Sequence, residues 1–206
     1  MHDIREAKKN ADIVIVIYHG GKEYCRYPSP RLRLLCHEMV ECGADVVVTQ
    51  HSHCVGCYEQ WENGQILYGQ GNLHFASLKP DFYPIWYTGL LVEVDFKGEH
   101  PDIKFYPLTL VDEKVHLSVG DEAKEIMDGF YSRCEELKDG KWLEGWREFC
   151  HHSPYNYNYQ WALDIFNHPD ADEDPRYKEP LKHYLDTETH MDMLLELYKT
   201  ANHTNK

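Results

Sequence analysis

In the first half of the chain the apolar residues fall into short unbroken runs, and in the second half they recur three and four residues apart. Residues 12–18 (DIVIVIY) and 45–49 (DVVVT) are β-branched runs without polar alternation, the pattern of strands covered on both faces in a parallel sheet. Between them Ser29 and Pro30 supply an N-cap and a first-turn proline. Leu32, Leu35, Cys36, Met39 and Val40 then keep helical spacing until Gly43 stops them. Strand, helix and strand form a βαβ unit, and its right-handed crossover makes the two strands parallel.

Asn63-Gly64, between segments 58–62 and 65–68, is a hairpin signal. Residues 86–96 and 103–111 read as two further strands around a turn at 97–102, and sheet structure ends near Leu117. From Val119 the pattern is helical, with Ser118 or Asp121 as candidate caps and Ile126, Phe130, Cys134 and Leu137 along one face. Helical stretches at 142–149, 160–166 and 177–201 follow, broken by an acidic, proline-flanked loop at 167–175. The expected fold class is α/β. A βαβ unit plus β-hairpins occupies residues 1–118, and a C-terminal helical appendage occupies 119–206.

Charge narrows the partners. With 35 acidic against 21 basic residues the chain carries a formal charge of −14, which argues against nucleic acid, whose phosphates need clustered Lys and Arg. An anionic ligand would be repelled at long range, and a bound metal would supply the local cation to hold it. No apolar run reaches the roughly 18 residues of a membrane span, and residues 1–5 lack the apolar core of a signal peptide. The sequence as given is thus expected to be cytoplasmic, or at the cell surface if a longer N-terminus precedes it. Seven scattered cysteines, an odd number, read as free thiols.

Histidines follow both predicted parallel strands: His19 after the first, His51 and His53 after the second. Ligands gather beyond the carboxyl ends of strands in open α/β sheets. In extended chain, at about 3.3 Å per residue, His51 and His53 would point the same way about 6.5–7 Å apart, and could share one ion or a pair. Neutral imidazole suits zinc, iron, nickel or copper, and three histidines with an open position form a recurrent catalytic zinc arrangement. Asp12 and Asp45 open their strands and so belong to the opposite edge.

The segments YHGGKEY (18–24), GADVVVTQHSH (43–53) and ILYGQGNLHF (66–75) resemble, in order, the later motifs of the CapA capsule-synthesis family. Over roughly residues 1–110 the resemblance implies a partial metallophosphatase-like α/β sandwich related to calcineurin-like phosphatases. It makes His19, His51 and His53 metal ligands for one or two divalent ions (Mn, Zn or Fe), and places Glu23 and Asn72 beside them as candidate catalytic residues. Glu23 would orient an imidazole or accept a proton, or else be a solvated loop residue. Asn72 could equally be a turn residue. Family members take their first ligands from earlier motifs that this sequence does not contain, so a single ion is expected here and two in a longer chain.

Three functions stay open. One is capsule (poly-γ-glutamate type) biosynthesis, handling an anionic polymer or a phosphorylated small molecule. Another is a metal-dependent phosphoesterase, and a third is a catalytically silent interaction module. Cys54 and Cys57 are read as structural, Cys150-His151-His152 as packing or surface residues, and the aromatic run 155–161 as packing the helical appendage.

Overall fold

The computed structural model describes residues 1–75, 84–98, 100–152, 164, 167–170 and 173–201, with the backbone alone at 180, 181, 198, 200 and 201. The aromatic run 155–161 lies outside these residues, and so does the helix expected at 160–166 apart from Asp164. The chain is mixed α/β and divides into two compact units, Met1–Leu143 and Glu144–Lys206.

In the first unit, β1 (Ile15–Tyr18), β2 (Val46–Thr49), β3 (Val55–Trp61) and β4 (Gly64–Gln70) form a sheet in the order β1-β2-β4-β3. β1 runs parallel to β2 and β2 to β4, while β3 is antiparallel to β4. Helix α1 (His2–Asn10) precedes β1, and α2 (Pro30–Glu41) is the crossover between β1 and β2. The Ser29 hydroxyl accepts from Leu32 N–H as the N-cap of α2, and Leu32, Cys36, Met39 and Val40 are buried. The βαβ unit expected from the pattern is therefore present.

β2 is buried at all four positions, as a central strand must be. β1 differs from the expectation. It is an edge strand, and Ile15 and Ile17 are 49% and 69% exposed. An unbroken β-branched run does not distinguish a strand with two covered faces from one with a single covered face. Helix α1 was not anticipated, because it buries none of its residues and so leaves no periodic apolar signal. It is tied down by Lys8, whose ammonium pairs with Asp45 at 2.7 Å. Asp45 also accepts from Val14 N–H, which fixes this carboxylate at the amino edge of the sheet, away from the histidines.

The β3–β4 hairpin turns on Glu62 and Asn63, with Glu62 at φ 50°, and Gly64 pairs with Trp61 as the first residue of β4. The Asn-Gly signal located the hairpin, but the glycine serves packing. A Cβ there would lie 2.6 Å from both Val40 methyls.

A second, antiparallel sheet contains β5 (Thr88–Asp95), β6 (Asp102–Val111) and β7 (Lys114–Leu117) in that order. Helix α3 (Gly120–Asp139) packs on β3 and β6. Neither expected cap acts on α3: Val119 occupies the cap position, and Ser118 instead shares a 2.5 Å hydrogen bond with Thr109. Phe130, Cys134 and Leu137 on the expected face join the core formed by α2 and the first sheet. The compact first unit consequently runs past the expected boundary at 118, to Leu143.

Helix α4 (Trp142–His152) crosses the division, and α5 (Pro175–Asp186) and α6 (Glu188–Ala201) follow, so the single helix expected at 177–201 is two. Asp174 caps α5, and Thr187 separates the two helices. Within the second unit Trp146, Tyr184 and Met193 are almost fully buried, and Arg147 pairs with Glu196 at 2.9 Å. No helix among the described residues is long and apolar enough to cross a membrane. All seven cysteines are buried and none forms a disulfide, as the scattered spacing suggested.

Candidate metal centre

The histidines stand at the carboxyl edge of the parallel strands, where Tyr18 and Thr49 lie in register at the ends of β1 and β2. His19 follows β1 directly. His51 and His53 follow β2 in a loop that returns into β3. The two do not converge by extended alternation. Both have left-handed backbone, at φ 71° and 55°, as does Tyr24 at φ 64°. Non-glycine residues in this region cost about 1–3 kcal/mol each, and such strain concentrates at binding and active sites. The turn it produces brings the His51 and His53 ring centroids to 5.9 Å.

The loop after β1 is fastened to this turn. Tyr24 N–H donates to Ser52 C=O at 2.8 Å, and Gln50 N–H donates to Tyr18 C=O at 3.0 Å. Glu23 is thereby held against the histidines: one ligand atom each from Glu23, His51 and His53 lie within 4.8 Å of one another. His19 is outside that group. Its Nε2 lies 3.2 Å from His51 Nδ1, and the two rings are 4.9 Å apart.

Asn72 sits after β4, where Gly71 bridges Gly89 at the start of β5. A Cβ at Gly89 would fall 2.2 Å from Asn72 O, so the close approach that positions Asn72 requires glycine. The Asn72 amide donates to Trp86 C=O at 2.8 Å, which orients its Oδ1 toward His53 Nδ1 at 2.9 Å. A carbonyl oxygen only accepts, so His53 Nδ1 carries the proton and Nε2 keeps its lone pair.

Trp86 was not anticipated. It stacks on His53 at 4.2 Å, meets Phe75 edge-on at 5.1 Å and donates through Nε1 to Phe75 C=O. Nothing in its spacing links it to the histidines, because it stands in a short 3-10 turn, Pro84–Tyr87, where a strand was expected to begin, just ahead of β5. Gln50 and Gln70 were also missed. They hydrogen-bond each other at 3.1 Å beneath the site and line, with the three histidines, a cleft of about 370 Å³.

Burial, more than the competing attraction of Glu23, lowers the pKa of His51, with His19 and His53 acting in the same direction. A neutral imidazole near pH 7 is the form that ligates metal. One carboxylate and two imidazoles make a donor set that suits zinc, iron or manganese and leaves positions open to a ligand.

Comparison with known proteins places this segment. Residues 1–77 match the model of the family described as bacterial capsule synthesis protein PGA_cap. The capsule biosynthesis protein CapA of Bacillus anthracis is 43% identical over 68 residues, covering 33% of this chain and 16% of that protein. The PGA biosynthesis protein CapA of Bacillus subtilis strain 168 is 43% identical over 72 residues, covering 35% of this chain and 19% of that protein. The chain thus matches less than a fifth of the length of either relative. The matched residues include His19, Glu23, His51, His53 and Asn72, and it is this segment of the chain that is similar to the CapA-type bacterial capsule synthesis proteins.

Proposed function

We propose that this chain serves capsule biosynthesis of the poly-γ-glutamate type by using Glu23, His51 and His53 to hold a divalent ion that engages an anionic ligand. That ligand is the polymer itself or a phosphorylated intermediate. The observation that carries the reading is the convergence of one carboxylate and two imidazoles within 4.8 Å, at the strand edge where α/β sheets bind ligands. Manganese, zinc and iron all fit these donors, with one or two ions in a complete site. When bound, the ion supplies the positive charge that a chain of net charge −14 otherwise lacks for an anion.

The roles of the remaining residues follow from their contacts. Asn72 fixes the tautomer of His53 and leaves Nε2 for ligation, as hydrogen-bond partners of ligating histidines do. His19 is assigned the same service for His51. If His51 Nδ1–H donates to His19 Nε2, the far nitrogen of His51 is free. Relative to the resemblance-based assignment, Glu23 and His19 thereby exchange roles, with the carboxylate ligating and His19 orienting. Trp86 and Phe75 cover the His53 ring and limit water on that side.

The hydrogen-bonded His19–His51 pair also favours a second reading, a metal-dependent phosphoesterase, because paired imidazoles can relay a proton. Calorimetric titration of poly-γ-glutamate into chelated and manganese- or zinc-loaded protein, with a phosphomonoester and phosphodiester turnover screen beside it, tests both. Metal-dependent polymer binding without turnover supports capsule handling, and metal-dependent turnover lost in His51→Ala supports the esterase. Neither response from loaded protein would contradict both and leave the interaction module.

A further inference from the structure

Arg133 on α3 is 8% exposed. Its Nε donates to Gly56 C=O at 2.8 Å and its Nη2 to Val55 C=O at 3.1 Å. Among the described residues Nη1 has no hydrogen-bond partner and no carboxylate forms an ion pair with the guanidinium. Arg26 is close enough that its charge, after burial, is the next largest influence lowering the Arg133 pKa. Arg26 likewise has no ion pair among the described residues.

Both arginines line a cavity of about 440 Å³, within the first unit, that shares no lining residue with the histidine cleft. Buried charges are normally paired, so two neighbouring guanidiniums without a carboxylate leave a counter-charge to be supplied. The chain's 35 acidic residues make that arrangement more telling, since a carboxylate partner was abundantly available. The planar fork of arginine suits carboxylate and phosphate oxygens, and one arginine still has a terminal nitrogen to donate.

Glu122 and Glu125 line the same cavity from the start of α3 and pair with neither arginine. Their charge disfavours a polyanion laid along the helix. What fits is one compact oxyanionic group at the arginine end, where Gly129 leaves room: a Cβ there would meet Arg133 Nη1 at 3.2 Å.

We propose that the pocket of Arg26 and Arg133 binds a compact oxyanionic group, a carboxylate or a phosphate, at a site separate from the histidine cleft. The two sites share their supporting segments. Arg26 lies three residues after Glu23, Val55 lies two after His53, and Ile85 and Thr88 flank Trp86. The proposal does not depend on metal binding.

The test uses the full chain stripped with chelator and titrated with sodium phosphate or sodium acetate against sodium chloride at matched ionic strength, read by thermal denaturation and calorimetry. The expected result is a saturable rise in Tm with phosphate, acetate or both, but not with chloride. The arm that responds identifies the oxyanion. Arg26→Gln, on a partly buried side chain, should weaken binding about tenfold or more. Gly129→Ala should also weaken it while favouring the helix, and His51→Ala should leave it unchanged. No saturable response to either oxyanion, or one that survives both Arg26→Gln and Gly129→Ala, would overturn the proposal. A response lost in His51→Ala would place the anion in the histidine cleft and overturn it equally.

Discussion

Asn72 accepts a hydrogen bond from His53 Nδ1 at 2.9 Å while its own amide donates to Trp86 C=O at 2.8 Å. The asparagine thereby links the second sheet to the histidine loop and decides which nitrogen of His53 is free. Asn72→Ala removes the acceptor but none of the three converging donors. Metal affinity should fall about 10–100-fold, the usual effect of losing a partner of a ligating histidine. Competition with a chromophoric chelator would measure it, and unchanged affinity would remove Asn72 from the site.

His19 and Glu23 offer a sharper comparison, because the structure places the carboxylate among the converging atoms and His19 behind His51. His19→Ala should cost about 10–100-fold in metal affinity, as for an orienting group. Glu23→Ala or His51→Ala should cost more than that, because each would delete a proposed ligand. The reverse order, measured on the same chelator scale, would make His19 the ligand.

Gly89 approaches the Asn72 backbone so closely that a Cβ would lie 2.2 Å from its carbonyl oxygen. Gly89→Ala must push the Gly71–Asn72 segment away, at about 1–3 kcal/mol for an overpacked site. Chemical denaturation should show that loss, and metal affinity should fall with it. A variant as stable as the parent would mean that the two segments are not in contact.

Stability should also depend on pH through Glu59, a buried residue of β3 that accepts hydrogen bonds from Arg33, His37 and Tyr68. Burial raises its pKa, but the hydrogen bonds from these three side chains, together with the charge of Arg33, outweigh burial and hold the carboxyl below its ordinary value. A depressed folded pKa contributes stability above the unfolded value, and that contribution is lost as pH falls through the folded one. Glu59→Gln should therefore cost about 3 kcal/mol near neutral pH, the low end for breaking a buried pair because Arg33 retains 24% side-chain exposure. The gap between variant and parent should narrow below about pH 4, the ordinary carboxyl range. A gap constant from pH 7 to pH 3 would show that the carboxyl is not ionised in the folded protein.

What the sequence made legible follows from local physics. The βαβ unit could be read because Ser29, Pro30 and Gly43 punctuate α2 and because β-branched runs bound it. The three histidines could be placed on one edge because each follows a strand. The left-handed turns at His51 and His53 could not be read, since histidine adopts them only when tertiary contacts enforce the strain. The same limit hid Trp86, which joins the site through the Gly71–Gly89 approach between two sheets. The exposure of Ile15 and Ile17 depends on what lies beside β1, a tertiary fact that its composition does not encode.

In the proposed function Glu23, His51 and His53 act as one ligand set. The most direct test is elemental analysis of the full chain after equilibration with manganese, zinc or iron and removal of free metal, with His51→Ala and His53→Ala treated in parallel. The parent is expected to retain at least one equivalent of metal per chain, and both variants are expected to lose that equivalent. A parent that retains no metal, or variants that retain it fully, would contradict that ligand set.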